Sequence, residues 1–305
     1  MADLKVKIAG VSFKNPIIAA SGTFGFGREY NELFPIEALG GISVKGLTLK
    51  KRLGNPPPRI AETPSGMLNS VGLQNPGVEA FIKNDLPYLK QKDIVVIANI
   101  AGATEQEYCE MAEIVSNSDV DMVELNISCP NVKAGGAAFG TSCVSAAAVT
   151  ALARKYCKKP LIVKLSPNVT DIAEIAKAVE SEGADAISLI NTLLGMRIDI
   201  KSRRPVLYNN VGGLSGPAIF PIAVRMVWQV ASAVKVPVIG MGGINSADDV
   251  AEMMLAGATA VQVGAAMFSD PLLPPKLIGG LDDFLNKENI KCASELTGQV
   301  KPWGV

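Results

Sequence analysis

The sequence predicts an α/β protein, a (β/α)8 TIM barrel with a short N-terminal hairpin and long active-site loops, as one domain over residues 1–305. Three observations point there. Apolar strand-like runs alternate with segments of helical periodicity along the whole chain, no linker or low-complexity stretch divides it, and glycine-rich turns follow the last two apolar runs. In a closed barrel of parallel strands, turns at those two places form the usual phosphate site. An open doubly wound sheet permits the same alternation, and the two glycine loops tip the choice to the barrel.

The elements follow in order. An opening hairpin is expected around Val6 to Phe13, and the strand candidates are Ile17–Ala20, Ile42–Lys45, Ile94–Ile100, Met122–Asn126, Leu161–Leu165, Ala186–Ile190, Val238–Gly240 and Ala260–Val263. Such short apolar runs suit parallel strands that helices cover on both faces. Helix candidates between them are Pro76–Leu89, Thr104–Ser116, Ser145–Lys155, Thr170–Glu182, Ala218–Val234 and Ser246–Leu255. Gly183 and Gly257 stand where helix C-caps are needed, each leading into a strand through GADAISLI and GATAVQVG, so they read as two copies of one unit. Two long connections, roughly Gly46–Asn75 and Ile127–Ser142, are expected to build or cover a site. Gly135, Gly136 and Gly140 lend the second the freedom of a lid.

Composition excludes several classes of function. Hydrophobic residues make up 48% and charged residues 19%, which supports a large core. Lys plus Arg and Asp plus Glu both number 29, so no net charge draws the chain toward nucleic acid or an anionic membrane. The start MADLKVKIAG is unlike a secretory signal, and no apolar run approaches the roughly 20 residues of a membrane span, so a soluble cytoplasmic protein is expected. The five cysteines include no C-x-x-C pair, against a disulfide framework or an iron–sulfur cluster on this chain. There is no histidine at all, which removes Ser-His and Cys-His pairs and every His-containing metal site. No metal site is expected.

Polar residues gather where the active face of a barrel would be. The second to sixth strands end in Lys45 and Gly46, Asn99, Asn126, Lys164, and Asn191 with Thr192. One such residue alone reads as a strand-end hydrogen-bonder, but five consecutive strands with these endings read as a site. Gly242 and Gly243 follow the seventh strand, with Ser246 capping the next helix, and Gly264 and Ala265 follow the eighth, where unencumbered backbone N–H groups suit a phosphate dianion. Cys129, in ELNISCPN, lies just past the fourth strand between Asn126 and Asn131, with Pro130 keeping the preceding backbone extended. A thiol whose free pKa is about 8.5 can serve as a base in a chain without histidine. The other four cysteines read as small buried side chains.

Five stretches stand out together: NSVGLQNPG at Asn69–Gly77, NISCPN at Asn126–Asn131, KLSPN at Lys164–Asn168, NTLLGMRID at Asn191–Asp199 and GGLSGPAI at Gly212–Ile219. In these motifs the chain resembles dihydroorotate dehydrogenase, class 1, and the likeness spans nearly its whole length. Within the family, cysteine as base marks the soluble class, and GNPPPRIAETPSGMLNS with NVKAGGAAFG looks most like the NAD-linked class 1B subunit. The resemblance implies that dihydroorotate stacks on FMN, that Cys129 takes the proton from C5, and that hydride leaves C6 for flavin N5, in pyrimidine biosynthesis. It implies substrate contacts from Lys45, Asn69, Gly72, Leu73, Asn126, Asn131, Asn191 and Thr192. Around FMN it places Ser21, Lys45, Gly46, Asn99, Asn126, Lys164, Ile190, Gly216, Gly242, Gly243, Gly264 and Ala265. Ala265 departs from relatives that commonly carry threonine, which removes a hydroxyl but leaves the backbone N–H. The class also implies a homodimer core within a heterotetramer, whose partner is an iron–sulfur flavoprotein electron-transfer subunit carrying FAD and a [2Fe–2S] cluster.

Other readings compete. A fumarate-linked class 1A enzyme shares the base and the flavin site. An aldolase or isomerase would use Lys164 as a Schiff base. A flavin barrel reducing uracil in RNA lacks support from the zero net charge, and a barrel that only docks partners leaves the polar strand ends unexplained.

Overall fold

The computed structural model describes residues 2–128 and 139–304. Cys129, Asn131, Gly135 and Gly136, and with them most of the second long connection, lie outside the described residues.

Eight parallel strands close into a barrel: β1 (Ile17–Ala19), β2 (Gly41–Ser43), β3 (Val95–Ile100), β4 (Met122–Asn126), β5 (Leu161–Lys164), β6 (Ala186–Leu189), β7 (Val238–Met241) and β8 (Ala258–Val263). Each pairs with its neighbour in sequence, and β8 closes on β1 through Val261 opposite Ile17 and Gln262 opposite Ile18. Nearly every strand residue is buried, as the apolar runs require when helices lie outside and side chains fill the inside.

The helices after each strand are α1 (Arg28–Asn31), α2 (Val78–Asn84), α3 (Glu105–Ser116), α4 (Cys143–Tyr156), α5 (Ile172–Ser181), α6 (Phe220–Ala231), α7 (Ala247–Leu255) and α8 (Leu273–Lys287). Side-chain caps start several of them: Thr104 accepts from Glu107 N–H, Asp171 from Ala173 and Glu174, and Ser246 forms a capping box with Asp249. The candidate helix Pro76–Leu89 is in fact two, α2 and a short turn Leu86–Lys90. Pro87 causes the break, since its ring has no N–H and would clash with the carbonyl one turn back. Helix α8 carries Pro274, Pro275, Gly279 and Gly280, which hide its periodicity in the sequence. The prolines sit in the first turn, where no N–H is needed, and a Cβ on Gly280 would lie 2.6 Å from Ala247 Cβ, so α8 packs close against the start of α7.

Two devices cover the barrel ends. The opening hairpin, Val6–Ile8 with Val11–Phe13, buries Val6, Ile8 and Phe13, and the Phe13 ring lies against Gly41 where β2 begins. At the opposite mouth stands a four-stranded antiparallel sheet in the order Leu193–Gly195, Gly212–Ser215, Gly66–Asn69, Ile60–Thr63. The long connection Gly46–Asn75 is thus partly regular. Its partner strands come from the β6 to α6 connection, with Gly213 opposite Asn69, and pairing so distant in sequence leaves no local signature.

Candidate active site

The C-terminal strand ends and the antiparallel sheet enclose one cleft, about 1270 Å³ of empty space with its mouth included. Of the residues singled out from the sequence, the cleft is lined by Ser21, Lys45, Asn69, Gly72, Leu73, Lys164, Ile190, Asn191, Thr192, Gly216, Gly242, Gly243, Gly264 and Ala265. They come from both ends of the chain and meet only because the barrel closes.

Gly46, Asn99 and Asn126 stand just behind that lining. A Cβ on Gly46 would come within 3.0 Å of Asn99 Oδ1 and 3.2 Å of Leu73 Cδ2, so glycine lets the Lys45 turn lie close to both. Asn126 Oδ1 accepts from the backbone N–H of Ser128 at 3.2 Å and from its hydroxyl at 2.9 Å. Ser128 in turn takes the Asn191 amide on its hydroxyl oxygen at 2.7 Å and on its carbonyl at 3.0 Å. Buried Ser128 therefore ties the end of β4 to the end of β6, immediately before Cys129.

Beneath the cleft lies a group that motif reading missed. Glu124 on β4 is fully buried, and four side chains donate to its carboxylate. Ser43 Oγ and Asn99 Nδ2 reach Oε2 at 2.7 and 2.6 Å, while Ser188 Oγ and Gln262 Nε2 reach Oε1 at 2.7 and 2.8 Å. Burial is the largest influence on this carboxyl and pushes its pKa up; the Lys164 charge and the hydrogen bonds from Ser43, Asn99 and Ser188 together outweigh it and hold the pKa below the ordinary value. Glu124 is thus an anion whose lone pairs are all used. A carboxylate in the middle of an apolar strand is otherwise rare, and that was the available signal.

The roof of the cleft is the Asn69–Gly77 loop, which turns through left-handed backbone at Gly72 (φ 75°) and Leu73 (φ 56°). A side chain on Gly72 would collide with the Asn55 amide at 2.6 Å, and at Leu73 the conformation is uncommon for a residue with a Cβ. Asn75 holds the loop, its Oδ1 accepting from Thr48 and Gly77 N–H and its Nδ2 donating to Thr48 Oγ1 and the Leu73 carbonyl.

On the far side the backbone closes tightly. Gly243 has φ 79°, and a Cβ there would lie 2.7 Å from Phe220 Cβ and 2.9 Å from the Gly216 carbonyl. Asp249 accepts from the N–H groups of Asn245 and Ser246, and Ser246 accepts from that of Asp249. An anion in this corner would meet the loop N–H groups around Gly243 and Gly264.

Among the cysteines, Cys109 and Cys157 are buried, as expected of small apolar side chains, but Cys143 and Cys292 are only half-buried. Cys143 opens α4, half-buried against the edge of the core, and Cys292 donates from Sγ to Glu295 Oε1 at 3.1 Å at the start of a short 3-10 turn. Among the described residues, no cluster of three or more His, Cys, Asp or Glu could hold a metal, and no helix is long and apolar enough to cross a membrane.

Fold and site together define a (β/α)8-barrel enzyme whose active face is built from amides, lysines and tight glycine turns, without histidine. The family described as dihydroorotate dehydrogenase matches residues 3–285, and the chain belongs to that family. It is 56% identical over 298 residues to "Dihydroorotate dehydrogenase B (NAD(+)), catalytic subunit" of Alkaliphilus oremlandii, covering 98% of this chain and 99% of that one. It is 53% identical over 302 residues to the protein of the same description in Bacteroides fragilis, covering 99% and 100%. The crystal structure of DHODH in complex with ferulenol from Eimeria tenella superposes with a TM-score of 0.81 at 23% identity, over 97% of this chain and 88% of that one, and so shares the fold.

Proposed function

We propose that this chain oxidises dihydroorotate to orotate with FMN, as the catalytic subunit of an NAD-linked dihydroorotate dehydrogenase. The observation that carries the reading is that the strand-end lysines and asparagines and the two glycine loops line one cleft, in a chain of this family. The residues fit the cofactor. Among the described residues, the buried amide oxygen of Gln262, on the cleft lining, and that of Asn99, just behind it, have no hydrogen-bond partner, and the Gly243 corner admits backbone where any side chain would clash.

When bound, FMN supplies the acceptor for hydride. The chain supplies placement and electrostatics. Gly216, Gly242, Gly243, Gly264 and Ala265 would hold the phosphate, with Ser21, Gly46, Asn99, Asn126 and Ile190 around the rest of the cofactor. Lys164 would place its cation against the electron-rich side of the reduced ring, and Lys45 would stand between ring and substrate. Asn69, Asn126, Asn131, Asn191 and Thr192, with Gly72 and Leu73, would match the carbonyl and N–H edges of the pyrimidine, since an amide offers donor and acceptor on one group. Cys129, next in sequence after Ser128, would remove the C5 proton.

Against a Schiff-base enzyme, Lys164 is engaged electrostatically by Glu124 instead of being isolated in an apolar pocket. The description of the relatives as a catalytic subunit supports a separate electron-transfer subunit; FAD and a [2Fe–2S] cluster on that subunit, and a homodimer core, are carried over from the family resemblance alone.

The test is direct. The purified protein is expected to be yellow, and its flavin absorbance to bleach when dihydroorotate is added anaerobically. A colourless preparation unable to take up FMN would overturn the reading.

A further inference from the structure

We infer that Gln262 is a further cofactor-binding residue: turned toward the cleft by Glu124, its Oε1 accepts a hydrogen bond from a hydroxyl of the polyol chain that joins the phosphate of FMN to its ring. This rests on the FMN reading above.

Gln262 is 1% exposed, yet it belongs to the cleft lining. Its Nε2 donates to Glu124 Oε1 at 2.8 Å, and its Oε1 has no hydrogen-bond partner among the described residues. The two ends of the amide are not interchangeable here. Glu124 is held ionised and can only accept, so the NH2 must face it and the carbonyl must face the other way. Asn99 is oriented by the same carboxylate, but it stands behind the cleft lining, under Gly46. Gln262 is thus the floor acceptor that a ligand in the cleft would meet. A buried carbonyl is costly without a donor, and a donor from the ligand would supply the missing hydrogen bond.

Placement identifies the donor. Gln262 is on β8, two residues before Gly264 and three before Ala265, the turn assigned to the phosphate, while Lys164 stands at the end of β5. The part of a flavin mononucleotide next to its phosphate is the polyol, whose hydroxyls donate as well as accept. The oxidised flavin ring, the form used in the binding test below, bears its single N–H on the edge remote from that chain.

Dissociation constants of the apoprotein would be measured by flavin fluorescence for FMN and for an analogue whose polyol is a plain pentyl phosphate chain. The proteins are wild type, Gln262→Leu and Gln262→Met. Wild type is expected to favour FMN, and both variants to lose about tenfold for FMN and little for the analogue, the scale of one hydrogen bond. Equal loss for both ligands, or no loss for either, would overturn the assignment. Should neither variant fold, wild type binding the two flavins equally would overturn it as well. Wild type taking up neither flavin has a different meaning and would overturn the FMN reading itself.

Discussion

Among single residues, Cys129 and Glu124 carry the most consequence, for opposite reasons. The thiol of Cys129 is proposed to act because of its place in the chain, just past Asn126 at the end of β4 and directly after Ser128, which hydrogen bonds fix in place. Cys157 provides the contrast: burial pushes its thiol up despite the Lys159 carbonyl and the Arg154 charge, and it lies outside the cleft. Cys129→Ala is expected to keep its flavin and to lose at least about a hundredfold in flavin reduction by dihydroorotate, the lower scale of general-base catalysis. Cys157→Ala should change that rate little, and equal rates in the two variants would remove Cys129 from the mechanism. For Glu124, the folded-state pKa lies below its ordinary 4.5, so its stabilisation is present above that value and is lost as the pH falls through the lower folded value. Glu124→Gln takes this buried counter-charge away from Lys164 and should cost roughly 3–5 kcal/mol near neutrality. In urea unfolding the gap from wild type should shrink as the pH drops below 4.5; a gap constant into strong acid would show that the charge is not what matters.

At the scale of elements, the site is made by turns that pack too closely for side chains. The Gly243 turn touches Phe220 and Gly216 at once, and its positive φ adds strain for any other residue. Gly243→Ala should therefore move the loop and weaken FMN binding at least about tenfold, given the roughly 1–2 kcal/mol cost of left-handed backbone alone. Riboflavin, which has no phosphate, should lose less, and equal loss would place the phosphate elsewhere. Sequence legibility divides along the same line. The C-cap glycines, Gly183 and Gly257, and the Ser246 cap are local features and could be read directly. The antiparallel sheet over the mouth could not, because its strand Gly66–Asn69 pairs with Gly212–Ser215 far along the chain, and helix α8 could not, because its glycines make sense only against α7.

Across the whole molecule, six strands contribute to one polar layer under the cleft: Ser43 from β2, Asn99 from β3, Glu124 from β4, Lys164 from β5, Ser188 from β6 and Gln262 from β8. Barrel interiors are normally filled by apolar layers. Here the top layer is a hydrogen-bonded network, rigid because its central anion has no lone pair to spare. Rigidity there would suit the cofactor site proposed above. The isolated chain is expected to be reduced by dihydroorotate but to reduce NAD slowly, and preparations containing the co-expressed electron-transfer subunit to sustain NAD turnover. Acceptor assays with NAD, fumarate and a quinone check this, and strong fumarate turnover by the isolated chain would overturn the NAD-linked reading.

The sequence by itself determined the barrel, through its alternation of apolar runs and helical segments, and the family, through motifs at the strand ends. It also marked half of the cleft lining, the strand-end residues because the C-terminal ends of parallel strands share one mouth and a residue's place along its strand decides which end it occupies, and the rest through the family motifs. Only the tertiary structure decided what lies underneath. Glu124, Ser43, Ser188 and Gln262 sit on four different strands; a carboxylate within an apolar run marks Glu124 locally, but nothing local distinguishes the other three from ordinary core until closure brings their side chains within hydrogen-bond distance of it. Desolvation then makes every unpaired polar atom costly, and it is this condition, absent from an open chain, that orients the amides toward the site.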